Sequence, residues 1–266
     1  MARAPVPRGK PGGWPSFFVE CSPRGWLQWS HTRNPTDDEL PASGVEPVNQ
    51  PSVRPPLIAQ LYQQYLDNQN STAFRSAVTQ AYTPGTLERL ADHHQRKVRR
   101  AAVLAIGLLG DYSANHTMGR ALLDEDRTVR TLAESGIRDL WARSGNEDQR
   151  QTLTLIIRLN AAGRPDDAIC RATELIDDSP YLAEAWFQRA TAHFRKQMHA
   201  EAIRDCHEAL EINPYHFAAA TTMGQAYMEL ENYVSALESF RRALRLNPDL
   251  EGVRIQVVRL ARMVED

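Results

Sequence analysis

From Leu57 onward, apolar positions recur every three to four residues, which predicts amphipathic helices. Leu57, Ile58, Leu61, Tyr62 and Leu66 form one stripe, and Phe74, Val78 and Tyr82 a second. Pro84 and Gly85 then break the run. Beyond them the pattern copies itself. KVRRAAVLAIGLLGD (97–111) is echoed 31 residues later by TVRTLAESGIRDLWA (128–142), pairing Val98 with Val129, Arg99 with Arg130, Ala102 with Ala133, Ile106 with Ile137 and Leu109 with Leu140. Each copy gathers its apolar residues on one face and follows a shorter amphipathic stretch, TLERLAD or HTMGRALLD. A two-helix unit of this size cannot bury its face alone and requires a stacked neighbour.

A second echo has a period of 34. AEAWFQRATAHFRKQMHAEAIRDCHEALEINP (183–214) matches FAAATTMGQAYMELENYVSALESFRRALRLNP (217–248), and both end on Asn-Pro. The residue before a proline is pushed out of the α region, so Asn-Pro is a helix stop written once per unit. Small residues at Ala190, Ala202, Gly224 and Ala236 let two helix backbones approach to about 8–10 Å. One period earlier, 149–182 keeps Gly163 at the expected turn and Ala168 and Pro180 in phase, with Thr152, Ile156 and Leu159 in the first helix. One period later, Val253, Val257, Leu260 and Met263 predict a single capping helix over 251–264.

These 34-residue units resemble the tetratricopeptide repeat, which favours Trp, Leu, Gly, Tyr, Ala, Phe, Ala and Pro at eight spaced positions. The first copy supplies Trp186, Arg189, Ala190, His193, Ala202, Cys206, Ala209 and Pro214. The second supplies Ala220, Met223, Gly224, Tyr227, Ala236, Phe240, Ala243 and Pro248. The segment around 85–143 resembles a short HEAT repeat, whose second helix commonly opens with a Val-Arg pair and uses that arginine to bridge neighbouring units. The resemblances imply an all-α fold, an α-solenoid of stacked helical hairpins. HEAT-like repeats over 57–148 would be followed by tetratricopeptide units at 149–182 (degenerate), 183–216 and 217–250, the last part running to 266. Only Ser144 to Asp148 separates the two patterns, which predicts one continuous right-handed superstructure.

Residues 1–56 depart from this. They hold 11 of the 16 prolines, together with Trp14, Phe17, Phe18, Trp26 and Trp29. Proline disfavours helix interiors and sheet ladders, so an extended or disordered arm is expected. The net charge of −2, from 31 basic and 33 acidic residues, supplies no global field for nucleic acid or an anionic membrane. The three cysteines are unclustered and no C-x-x-C occurs, which argues against a disulfide framework or zinc. No apolar run has the length of a signal peptide core or a membrane span, so a cytoplasmic location is expected.

Candidate chemistry is sparse. His93 and His94 lead into Arg96, Lys97, Arg99 and Arg100, a basic turn suited to phosphates; but 57–148 balances 11 basic against 11 acidic side chains, and such runs usually form solvated faces. Cys206 and His193 invite a thiol–base reading, yet both fall at packing positions. Asp124, Glu125 and Asp126 suit a helix cap. No phosphate-binding glycine loop or nucleophile elbow is present. The expectation is a non-catalytic scaffold or adaptor, without metal or cofactor, that binds a partner peptide or helix. The alternatives are an accessory or lyase-like maturation factor, since some short HEAT repeats belong to chromophore lyases, and a nucleic-acid-binding HEAT array. The tetratricopeptide resemblance implies that first-helix positions line a concave groove: Phe187, Thr191, Phe194 and Arg195 in one unit, Thr221, Gln225 and Met228 in the next. Repeats that clamp the terminal carboxylate of chaperones use Lys, Asn and Arg. The matching places here hold Phe187, Gln188, Thr191, Ala218 and Thr222, which argues against a chaperone tail.

Overall fold

The computed structural model describes residues 56–265. The expected N-terminal arm, with its five large aromatics, lies outside the described residues, apart from Pro56 at its end. All regular structure among the described residues is helical, in thirteen α-helices and one short 3-10 turn, Tyr112–Ala114. The first six are α1 (Leu57–Asn68), α2 (Ser71–Ala81), α3 (Pro84–Leu90), α4 (Arg96–Leu109), α5 (Asn115–Ala121) and α6 (Arg127–Ala142). Seven more follow: α7 (Glu147–Ala161), α8 (Pro165–Asp178), α9 (Ala183–Arg195), α10 (His199–Ile212), α11 (Phe217–Glu229), α12 (Tyr233–Leu246) and α13 (Glu251–Glu265).

The boundaries follow from local chemistry. Thr83 caps α3, with Pro84 in its first turn where a missing N–H is harmless. Asp126 caps α6 by accepting from the Val129 N–H at 3.0 Å, as the acidic run suggested. Asn146 and Gln149 form a reciprocal capping box that opens α7 two residues before the expected 149. Gly163, at φ 69°, makes the turn after α7. Asn213 and Asn247 end α10 and α12 in extended conformations, and their side-chain oxygens accept from the N–H groups of Tyr215 and Asp249, each at 3.1 Å. The repeated Asn-Pro is therefore a helix stop combined with an Asx turn that aims the chain at the next helix.

In the N-terminal part, α3 packs on α4 and α5 on α6, while α4 lies against α6 and carries α1 and α2 beside it. The α4–α6 contact is backbone against backbone. A Cβ on Gly107 would stand 2.9 Å from the Gly136 Cα. Arg99 and Arg130 play matched parts. Arg99 donates to the carbonyls of His93 and His94 and pairs with Asp124 at 2.7 Å; Arg130 donates to the carbonyls of Asp124 and Glu125 and pairs with Asp249 at 2.8 Å.

In the C-terminal part, α7–α8, α9–α10 and α11–α12 form hairpins, and α13 closes against α12. Ala190, Ala202 and Ala236 are fully buried at the helix crossings, and a Cβ on Gly224 would meet the Phe240 ring at 2.7 Å. The α13 face differs in one residue from the expected set: Val253 and Leu260 are buried and Val257 half-buried, whereas Met263, in the last turn, is 46% exposed.

The two parts are not joined simply end to end. In a linear array each unit touches only its neighbours. Here α6 also packs on α9, and Phe217 sits fully buried in the core of the N-terminal hairpins, with Tyr215, Ala218, Leu246 and Leu250 packed beside it. The expectation of one uninterrupted superstructure is corrected accordingly. The open face of the α5–α6 hairpin is covered by the Asn-Pro edge of the later units, because that edge presents a row of apolar side chains that α6 can bury.

Candidate partner-binding groove

On α9, Phe187, Thr191, Phe194 and Arg195 follow the i, i+4, i+7, i+8 spacing of one helix face, and on α11 Thr221, Gln225 and Met228 do the same. The two helices are in contact, so the stripes are neighbours. All seven residues are half-buried. Several have internal work. The Phe187 ring lies 4.6 Å from that of His216 and, like Met228, packs on the core of the α9–α13 units. Phe194 meets His199 edge-on at 5.3 Å. Arg195 donates to the Asn160 carbonyl at the end of α7. The hydroxyls of Thr191 and Thr221 donate to the carbonyls of Phe187 and Phe217 in their own helices.

Two of the five positions matched to a chaperone clamp are closed. Gln188 is buried, receives a bond from Asn160 at 2.9 Å and donates to Glu184 at 2.7 Å. Ala218 is packed against the N-terminal hairpins.

Next to Phe187 runs a buried polar chain that sequence reading missed. Asn160, Gln188 and Glu184 connect to His216, whose Nε2 stands 3.1 Å from the Glu184 carboxylate. The Ala219 N–H donates to His216 Nδ1, so the proton of a neutral ring resides on Nε2 and points at Glu184. Trp141 stacks on this ring, and its Nε1 donates to Asn115 at 2.8 Å. Asn115 in turn donates to Asn213 at 2.9 Å. The only hint in the sequence was a tryptophan in the last turn of a helix, a residue whose N–H demands a partner when buried.

The residues singled out for other chemistry have structural roles. Cys206 is fully buried, and burial pushes its thiol far above the usual range, so it holds no nucleophilic thiolate at neutral pH. Burial lowers the pKa of His193, whose Nε2 is 3.6 Å from Asp205. Arg189 grips Asp205 through two bonds of 2.9 and 2.8 Å, reaches Thr173 on α8 and covers the Trp186 ring, tying three helices together. His93 lies against the His94 ring at 4.1 Å, in the loop that Arg99 holds.

The tetratricopeptide repeat family model matches residues 183–216 and 219–250, and these two segments are tetratricopeptide repeats. Superkiller complex protein 3 of Mus musculus is 35% identical over 65 residues, which is 24% of this chain and 4% of that protein. Protein SGT1 homolog of Bos taurus is 30% identical over 83 residues, 31% of this chain and 25% of that protein. This chain thus spans a quarter or less of the curated relatives named. Among solved structures, the first TPR of Spaghetti (RPAP3) bound to HSP90 peptide SRMEEVD is 23% identical, with a TM-score of 0.44 over 46% of this chain and 97% of that one. No helix among the described residues is long and apolar enough to cross a membrane.

Proposed function

We propose that this protein is a non-catalytic, cytoplasmic interaction adaptor that holds an amphipathic segment of a partner protein in the groove of α9 and α11. The observation that carries this reading is the pair of tetratricopeptide repeats whose neighbouring first helices bear Phe187, Phe194 and Met228 among polar Thr191, Arg195, Thr221 and Gln225. Apolar anchors set among hydrogen-bonding groups suit a helix or strand with one apolar face. In the same reading, 57–148 is a HEAT-like brace and 149–266 the binding part. The 31-residue echo and the matched bonding of Arg99 and Arg130 support the HEAT-like assignment. A cytoplasmic setting accords with the free thiols of Cys170 and Cys206. A phosphate-binding role for the basic turn is disfavoured, because Arg99 and Arg100 are engaged with Asp124, Glu125 and Asp126.

The test fills the groove without removing core atoms. Affinity capture is compared between the natural protein and the double variant Thr221→Trp with Gln225→Trp, with Val234→Trp as an exposed control. The expected outcome is a partner retained by the natural protein and the control but lost from the double variant at an unchanged melting temperature. Equal capture by all three proteins removes the groove from the account.

A further inference from the structure

Helix α13 carries more apolar surface than α12 covers. Val253 and Leu260 are buried in the core that the two helices share, and Val257 and Ala261 are half-buried beside it. At about 100° per residue, the apolar band continues past Val257 and Ala261 to Val258, an arc of about 160° measured from Leu260. A stripe of about 100° suffices for packing on one neighbour, so α13 is patterned for two. Its exposure agrees. Among the described residues, α13 leaves four large apolar side chains exposed, Ile255, Val258, Met263 and Val264, whereas no other helix leaves more than two.

Stacking of copies end to end does not supply the second neighbour. In such a filament the α13 end of one copy would meet the α7 end of the next. The exposed face of α7 carries Glu147, Asp148, Gln151, Thr154 and Arg158, with Leu155 as its one large apolar side chain. A second α13 fits better. In an antiparallel pair with Val258 of one helix opposite Ala261 of the other, a small residue faces a β-branched one at both symmetry-related places, and Val257 comes beside Val264. A single twofold pairing covers both bands at once. We propose that the protein is a homodimer in which the α13 helices of two copies pack antiparallel through Val257, Val258, Ala261 and Val264. Two four-turn helices bury about 1,000 Å² in all, at the low end of specific interfaces, so the dimer should dissociate on dilution. The pairing joins two sets of tetratricopeptide repeats and makes the adaptor bivalent, which strengthens capture of any partner that is itself multimeric. The proposal does not depend on the groove reading above.

The test is sedimentation equilibrium of the full chain over a range of concentrations, with melting followed by circular dichroism. The natural protein is expected to show a monomer–dimer equilibrium. Val258→Asp should weaken it about a hundredfold or more, because the twofold places the charge in the interface twice, and should leave the melting temperature unchanged. Leu155→Asp, at an exposed apolar position on α7, is the control and should dimerise like the natural protein. For the register, Val258→Cys and Ala261→Cys are made in separate proteins that also carry Cys21→Ser and Cys170→Ser. Oxidation of their mixture should give mainly the mixed disulfide. A natural protein that stays monomeric at every concentration overturns the second copy as the occupant and leaves the face to another partner. A dimer that survives Val258→Asp, or one that Leu155→Asp also abolishes, overturns α13 as the interface. If Val258→Asp lowers the melting temperature, the uncharged Val258→Gln decides by the same measurement. Oxidation that links the Val258→Cys protein mainly to itself overturns the antiparallel register.

Discussion

Trp141 and His216 are stacked, with ring centroids 4.2 Å apart and planes 18° from parallel. One belongs to the last of the 31-residue hairpins and the other to the turn between two tetratricopeptide repeats. Trp141 is 2% exposed and also satisfies Asn115, so Trp141→Ala removes a large ring and leaves a buried carbonyl oxygen without its donor. The expected cost is about 3–5 kcal/mol. Hydrogen exchange should report it first at residues 213–217, and unchanged protection there would mean that the stack does not hold the two parts together.

The approach of α4 to α6 gives a sharper contrast. At Gly107 the atom nearest to an added Cβ is the Gly136 Cα, at 2.9 Å, and a backbone atom cannot swing aside. Gly107→Ala should destabilise by about 1–3 kcal/mol. At Gly85, also helical, nothing lies within 4 Å of the added methyl, so Gly85→Ala should be neutral or stabilising by up to about 1 kcal/mol. Urea midpoints of the two variants should move in opposite directions or differ by that margin.

Much of this architecture was legible from residue spacing. Asn213 and Asn247 mark their helix ends because proline imposes an extended residue before it, a strictly local effect. Gly163, Ala190 and Gly224 likewise follow from local geometry and from contacts within one hairpin. The docking of α6 was not legible. Asn115 finds Asn213, and Arg130 finds Asp249, at sequence separations of 98 and 119 residues, and no period connects them. That the named positions of α9 and of α11 share a helix face was legible from their spacing, but the contact of Phe187 with His216 was not, because His216 reads as an ordinary turn residue.

Acid should act through Asp126. Its hydrogen bonds from Arg100, at 2.9 and 2.5 Å, hold the carboxyl below its usual range, with the Val129 N–H assisting and burial opposing. A carboxyl with a depressed folded pKa contributes stability that is complete above its unfolded value, near 3.9, and is lost as pH falls through the folded value. Arg100→Met should therefore be less stable than the natural protein at about pH 5, and the gap should narrow toward about pH 2. A gap that stays constant across urea titrations in this window would assign the loss to packing of the arginine stem instead.

The final prediction concerns the short loop between the two patterns. If the N-terminal hairpins and the tetratricopeptide repeats were beads on a string, cutting the loop would release two bodies. The contacts argue otherwise. Phe217 is fully buried among residues of α1 to α6, Tyr215 fills the space beside Gly119, and Arg130 reaches Asp249 far from the loop. None of these depends on the peptide bond after Gly145, which is exposed and has a φ of 86°. A protease site inserted after Gly145 should thus be cleaved readily, yet the two fragments should elute together on gel filtration and retain the circular dichroism of the intact chain. Adding Trp141→Ala should then let them separate, because the cut removes the covalent link and the substitution removes the stack. Fragments that separate without Trp141→Ala would show that the edge contacts are too weak to hold the hairpins, and that the loop alone maintains the arrangement.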